Sequence, residues 1–225
     1  MSLTQHLDLI QGSPEWFDQR RGIVTASEVG TIITPSTIKP AANMASRAYA
    51  ALIAAERITG WTVETYVSPD MFRGSIEEPY AINAYTARTD GTATLAGLMV
   101  RDDWGFKVGY SPDALIDDDG LIEVKSRAPK KHLQTIIADE VPAENMAQLQ
   151  CGLLVSGRAW IDYVSFCGGM PLYIKRVTPD PEWQAALVRA VDAFEDAVED
   201  MTRTYYNRVG GLPLTERVAE LEMRF

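Results

Sequence analysis

Apolar residues recur at three- and four-residue spacing over 41–59, an alanine-rich run that stops at Gly60 and predicts a helix with a glycine end. The same period predicts a helix over 69–87, with Pro79 inside it expected to kink or break it. Upstream, Thr25 and Glu28 have the spacing of a capping box, so a short helix is expected to begin near residue 26 with Thr25 as its N-cap. From 93 to 126 the pattern changes to short β-type runs. There Ala114, Leu115 and Ile116 are separated from the run 121–125 by Asp117, Asp118, Asp119 and Gly120, the composition of a hairpin turn. Helical patterns return at 129–138 and 143–154, strands follow at 159–166 and 172–177, and a long amphipathic helix is predicted over 181–203. The glycine pair Gly210 and Gly211 marks a loop before a short tail.

This order predicts an α/β (α+β) fold, a central mixed β-sheet flanked by helices, in a single domain spanning 1–225. A chain of 225 residues, 46% hydrophobic and 23% charged, is long enough to bury one sizeable core. No apolar run reaches the ~18 residues of a membrane span and the first ten residues lack a secretory pattern, so a cytoplasmic protein without a membrane partner is expected. Cys151 and Cys167 form no CxxC pair, which disfavours zinc and iron-sulfur sites and makes both buried thiols. The formal net charge of −10 runs against the basic excess usual in proteins that grip nucleic acid. The acids Asp192, Glu195, Asp196, Glu199 and Asp200 crowd the last quarter as a solvated helix face, which leaves room for a local basic groove.

The chemistry concentrates at Ser111, Pro112 and Asp113, followed after nine residues by Glu123, Val124 and Lys125. Strand alternation puts Glu123 and Lys125 on one face with Val124 opposite. If the two strands pair, Asp113 joins them, and two carboxylates converge where a hard divalent cation would sit. Phosphodiester hydrolysis calls for this set: activated water, neutralised phosphoryl charge and a stabilised leaving group are supplied by Mg²⁺ with a lysine beside it. Read alone, Glu123 and Lys125 are also compatible with the exposed face of a half-buried strand, and Ser-Pro-Asp with a plain turn.

Four blocks in order then carry a resemblance: 20–29, Gly74 to Glu78, Ser111 to Lys125 with its P-D, nine residues, E-x-K signature, and Met146 to Gln150. Together they resemble the phage lambda exonuclease family, the YqaJ-like viral recombinase branch of the PD-(D/E)XK nucleases, whose core is restriction-endonuclease-like. The resemblance implies a 5′ to 3′ exonuclease that degrades duplex DNA ends to mononucleotides and leaves 3′ single strands for recombination. It implies Mg²⁺ as cofactor, with Mn²⁺ substituting, bound by Asp113, Glu123 and the Val124 carbonyl. Lys125 is then the catalytic lysine, Gln148 orients it or the water, and Glu78 acts on the water at the metal; Glu77 is its adjacent competitor. Arg20, Thr25, Ser27 and Ser111 would hold the terminal 5′-phosphate, helped by N–H groups of a helix opening near Thr25. A ring-shaped homotrimer around duplex DNA and a single-strand annealing recombinase as partner are also implied.

Arg73, Arg127, Lys130 and Lys131 are candidates for contacts to the DNA backbone, although a basic pair before a helix is usually just exposed. Gln150 shares the polar stripe with Gln148; His6 and His132 lack spaced partners, and the five Trp residues read as core or subunit contacts. The rival readings are an endonuclease or junction resolvase with the same centre but no end pocket, and a nuclease-like fold that binds DNA without cutting it.

Overall fold

The computed structural model describes residues 2–62 and 67–216. Its strands divide between two mixed sheets and a small ribbon. In chain order the elements are β1 (Leu3–His6), α1 (Pro14–Arg20), β2 (Val24–Thr25), a 3-10 turn (Val29–Thr31), β3 (Ile33–Thr34), β4 (Lys39–Pro40), α2 (Met44–Thr59) and α3 (Pro69–Thr89). Then come β5 (Ala93–Thr94), β6 (Leu98–Arg101), β7 (Val108–Tyr110), β8 (Ala114–Ile116), β9 (Gly120–Ser126), α4 (Pro129–Ala138), α5 (Ala143–Ser156), β10 (Trp160–Phe166), β11 (Tyr173–Val177) and α6 (Pro181–Val209). Sheet order is β11-β10-β9-β8-β5 in the larger sheet and β1-β6-β7-β2 in the smaller, while β3 and β4 pair alone.

The predicted hairpin forms with Ala114 opposite Ile122 and Ile116 opposite Gly120. Its second strand, β9, also pairs in parallel with β10, so β9 is central and buried on both faces. Alternation then sorts its side chains. Ile122 and Val124 pack with Ala81, Ile82 and Tyr85 of α3, whereas Leu121 joins the core built with α2, α5 and α6. Glu123 lies on this second face, only 3% exposed, and is the one carboxylate of the strand.

Helix ends follow local chemistry. Asn43 and Ser68 cap α2 and α3 through their side chains, and Gly60 closes α2 in the left-handed region. Pro79 does not break α3, which is one helix from Pro69 to Thr89. The carbonyl deprived of its donor belongs to Ser75, on the exposed side of the helix. The helix α6 runs six residues past the expected 203, to Val209. Residues 210 and 211 form the expected turn, and 217–225 of the anticipated tail lie outside the described residues.

The capping box at Thr25 is corrected. Thr25 is drawn into β2, which pairs in parallel with Val108 and Gly109 of β7, and the following helix is a single 3-10 turn whose N-cap, Glu28, makes no side-chain capping bond. The Thr25 hydroxyl is therefore available to other partners. No expectation covered β1, α1, β3 or β4; the Ser13 N-cap followed by Pro14 at the first helical position was the available signal for α1. Among the described residues no helix is long and apolar enough to cross a membrane.

Candidate active site

The site grows from the end of the β8–β9 hairpin. Asp113 immediately precedes β8, and its Oδ2 accepts the Val124 N–H at 2.5 Å. Continuing the antiparallel register places Pro112 opposite Val124. Proline has no N–H to give, so the Val124 carbonyl, which projects to the same side as its N–H, lacks a ladder donor there. A carbonyl oxygen and the Asp113 carboxylate thus share one side of the strand.

On the adjoining face Lys125 Nζ donates to Glu123 Oε1 at 2.8 Å and to Gln148 Oε1 at 2.8 Å. Gln148 in turn donates through Nε2 to the same Glu123 oxygen at 2.5 Å, closing a three-membered network. Gln148 reaches it from α5. That helix lies close because Gly152 has no side chain: a Cβ there would sit 2.8 Å from the Tyr110 ring. The Tyr110 hydroxyl completes the shell by donating to Glu123 Oε2 at 3.4 Å. Two of the three lysine protons are therefore committed and one remains for a substrate.

Glu78 enters from α3. It and Asp113 line a cleft of about 350 Å³ shared with Leu7 to Gln11 and Leu95. Burial, then repulsion from Glu123, raises the Glu78 carboxyl above its usual range, partly offset by Lys125. Burial, then repulsion from Glu123 and Glu78, pushes Asp113 well above the usual carboxylate range. Burial opposes the Lys125 charge, but Glu123 and Asp113 outweigh it and hold the ammonium above the usual lysine value. Three carboxyl groups that disfavour one another's charge, answered by one ammonium, suit an added hard cation, and every donor is oxygen. Among the described residues no group of three or more His, Cys, Asp or Glu side chains forms a ready metal cage. The residues that could hold such a cation are two carboxylates, Asp113 and Glu123, with the Val124 carbonyl.

Two residues before Asp113, Ser111 belongs to a second cluster. Arg20 NH1 lies 3.5 Å from Ser111 Oγ, and its NH2 lies 3.4 Å from both Thr25 Oγ1 and Ser27 Oγ. The two hydroxyls are 3.1 Å apart. The guanidinium is stacked 3.8 Å over the Trp16 ring, and the indole N–H donates to Ser111 Oγ at 2.9 Å. No carboxylate among the described residues lies within ion-pair distance of Arg20; Glu28 and Glu56 favour its charge only from farther away. The helix opening expected at Thr25 is absent, and the donors of this cluster are side chains.

Residues 15–159 match the YqaJ-like viral recombinase domain. The chain belongs to that family. It is 29% identical to an alkaline exonuclease, LHK-Exo, from Laribacter hongkongensis, with 89% of this chain and all of that one covered at a TM-score of 0.79. A second structure of that enzyme, in complex with dAMP, matches equally. A phage related exonuclease from Haemophilus somnus 129PT, 12% identical, covers 81% of this chain and 96% of its own at a TM-score of 0.64, which shows a shared fold. No curated protein sequence matches the chain significantly. The family's phage exonuclease fold accounts for the mixed sheets flanked by helices.

Within this family member the remaining candidates separate. Glu77 accepts the Ser126 hydroxyl and lies 3.9 Å from Arg73, away from the Glu123 network. Gln150 donates to the Thr178 carbonyl and accepts the Asp180 N–H, both at 2.9 Å, tying α5 to the start of α6. Arg73 is paired with Asp70 and Ser126. Arg127 donates to Asn145 at 2.5 Å and lies 3.8 Å from Glu144, with its side chain only 13% exposed. Lys130 and Lys131 are exposed on the first turn of α4. His132 is fully buried between Ser165 Oγ and the Pro171 carbonyl, a structural role. Sequence reasoning missed Trp16, Tyr110 and Gln11, whose Nε2 donates to the Ala96 and Pro112 carbonyls. Only Trp16 had a signal, its spacing of four residues before Arg20.

Proposed function

We propose that this protein is a Mg²⁺-dependent 5′ to 3′ exonuclease that degrades duplex DNA from its ends to mononucleotides, exposing 3′ single strands for phage-type recombination. Family membership and the likeness to alkaline exonucleases support a nuclease. The observation that carries the directional reading is the adjacency of two clusters: Ser111 faces Arg20 while Asp113, two residues on, faces Val124 and the carboxylates. A terminal phosphate held at Arg20, Thr25, Ser27 and Ser111 puts a nearby phosphodiester at the acidic centre, an arrangement an endonuclease does not need.

Asp113, Glu123 and the Val124 carbonyl would hold Mg²⁺ or Mn²⁺, which when bound neutralises phosphoryl charge and acidifies water at the site. Lys125, its ammonium aimed by Glu123 and Gln148, donates its remaining proton to the phosphoryl oxygens as charge accumulates there. Glu78, with its raised pKa, accepts the proton of the attacking water better than an ordinary carboxylate does. Tyr110 and Gln148 keep Glu123 in one orientation. Trp16 covers one face of the Arg20 guanidinium and leaves its N–H edge to the pocket.

A homotrimeric ring closing on duplex DNA reconciles a net charge of −10 with a polyanionic substrate, since Arg73, Arg127, Lys130 and Lys131 would be concentrated on the inner wall. Of these the exposed Lys130 and Lys131 are best placed to meet phosphates. A single-strand annealing recombinase is the partner suited to its product. The deciding experiment offers end-labelled linear duplex and covalently closed circular DNA with and without Mg²⁺. Loss of the linear DNA alone, from its 5′ ends and only with metal, is expected. Cutting of the closed circle identifies an endonuclease, and two inert substrates identify a binding module. Light scattering is expected to give the mass of a trimer; a monomer at all concentrations removes the ring.

A further inference from the structure

The segment that joins Arg20 to Thr25 and Ser27 turns at Gly22, where φ is +70°. Both peptide groups of that residue are gripped by consecutive side chains of α2. The buried Glu56 carboxylate, 7% exposed, accepts the Gly22 N–H at 2.7 Å, and Arg57 Nε donates to the Gly22 carbonyl at 2.7 Å. A side chain at 22 has no room, because its Cβ would lie 2.8 Å from Arg57 Cγ. At its far end Arg57 makes a two-pronged ion pair with Glu195 of α6, at 2.6 and 2.8 Å. Tyr49, seven residues before Glu56 and hence on the same face of α2, sets its hydroxyl beside Thr25.

A buried carboxylate is costly unless its bonds are good. Glu56 meets that cost with a main-chain N–H at the one point of the turn that separates the guanidinium from its hydroxyl partners. It also lies within electrostatic reach of Arg20 and favours that charge. The geometry points to Glu56 and Arg57, braced by Glu195, as positioning residues for the end pocket: they fix the Gly22 turn and so the distance from Arg20 to Thr25 and Ser27. This rests on the reading of that cluster as the 5′-phosphate pocket. Recognition of the DNA end is thereby set from behind, through a polar relay that reaches from α6 to the pocket without touching DNA.

The test measures KM and kcat separately on short duplexes ending in 5′-phosphate or 5′-hydroxyl, with melting temperatures alongside. Glu56→Ala is expected to raise KM for the phosphorylated duplex about tenfold while moving kcat and the hydroxyl KM less than about twofold. Glu56→Gln keeps an acceptor for the Gly22 N–H and is expected to recover most of the loss. Glu195→Ala, at the surface end of the relay, is expected to shift the phosphate KM about threefold in the same direction and carries the test if Glu56→Ala does not fold. Wild-type protein indifferent to the end group overturns the pocket and the relay together. A wild-type preference that persists in folded Glu56→Ala or, failing that, in Glu195→Ala overturns the relay and leaves the pocket standing. Equal losses on both ends mark a purely structural role and also overturn it.

Discussion

Replacing Arg20 by alanine tests the end pocket most directly, and its size follows from the contacts. The three hydroxyl partners of Arg20 stand at 3.4 to 3.5 Å, beyond the ~2.7–3.2 Å of good N–H···O bonds. They therefore hold the guanidinium loosely and leave its donors to a stronger acceptor. A phosphate offers charge-assisted bonds roughly twice as strong as neutral ones. Their net worth of ~1.5–3 kcal/mol corresponds to roughly tenfold to hundredfold in affinity. Competitive digestion of 5′-phosphorylated and 5′-hydroxyl duplexes is expected to show wild-type preference for the phosphate and loss of most of it in Arg20→Ala. Digestion of the hydroxyl duplex, which offers nothing to the pocket, should change little. The Trp16 stacking contact is lost too, so the variant's melting temperature must be followed; a folded Arg20→Ala protein that keeps the full phosphate preference refutes the reasoning.

Lys125→Ala should lower kcat about a hundredfold or more while metal-dependent DNA binding persists, because the carboxylates remain and only a charge facing the transition state is lost; near-normal turnover would remove the lysine from the mechanism. Asp113→Ala should lose Mn²⁺ affinity in calorimetry, and unchanged affinity counts against the ligand set. The raised pKa of Asp113 also sets a pH dependence: its stabilising contribution is full below the unfolded-state value of ~3.9 and is lost as pH rises through the higher folded value. Asp113→Asn, which cannot ionise, should therefore melt above wild type in EDTA at pH 8, with the gap closing toward pH 4 and narrowing when Mg²⁺ is added; identical melting at pH 8 would contradict the repulsion. Neutralising Lys130 and Lys131 together should flatten the plot of log affinity against log salt by about 1 to 2, and an unchanged slope would take both off the DNA path.

Much of the site was legible in the chain because it is local. Strand alternation alone placed Glu123 and Lys125 together, and the acidic turn at 117–120 announced the hairpin that returns Asp113 to Val124. Period and end signals likewise determined α2, α4 and β10 to within a few residues. The family resemblance supplied what spacing could not, the roles proposed for Glu78 and Gln148.

Tertiary structure decided the rest, and the reason is competition for the same groups. Thr25 had the residue type and spacing of a helix cap, but pairing with β7 recruited its backbone and left its hydroxyl for Arg20 and Ser27. Gln148 and Gln150 look alike two residues apart on α5; only the packing of that helix sent one to Lys125 and the other to the start of α6. Arg73 and Arg127 were as basic in sequence as Lys130 and Lys131, yet folding gave them carboxylate or amide partners from one helical turn away or from another element. A side chain's chemistry is written in the sequence, but its partner is fixed by which elements pack against it, and in this protein that choice sets Arg20 against three hydroxyls and an indole.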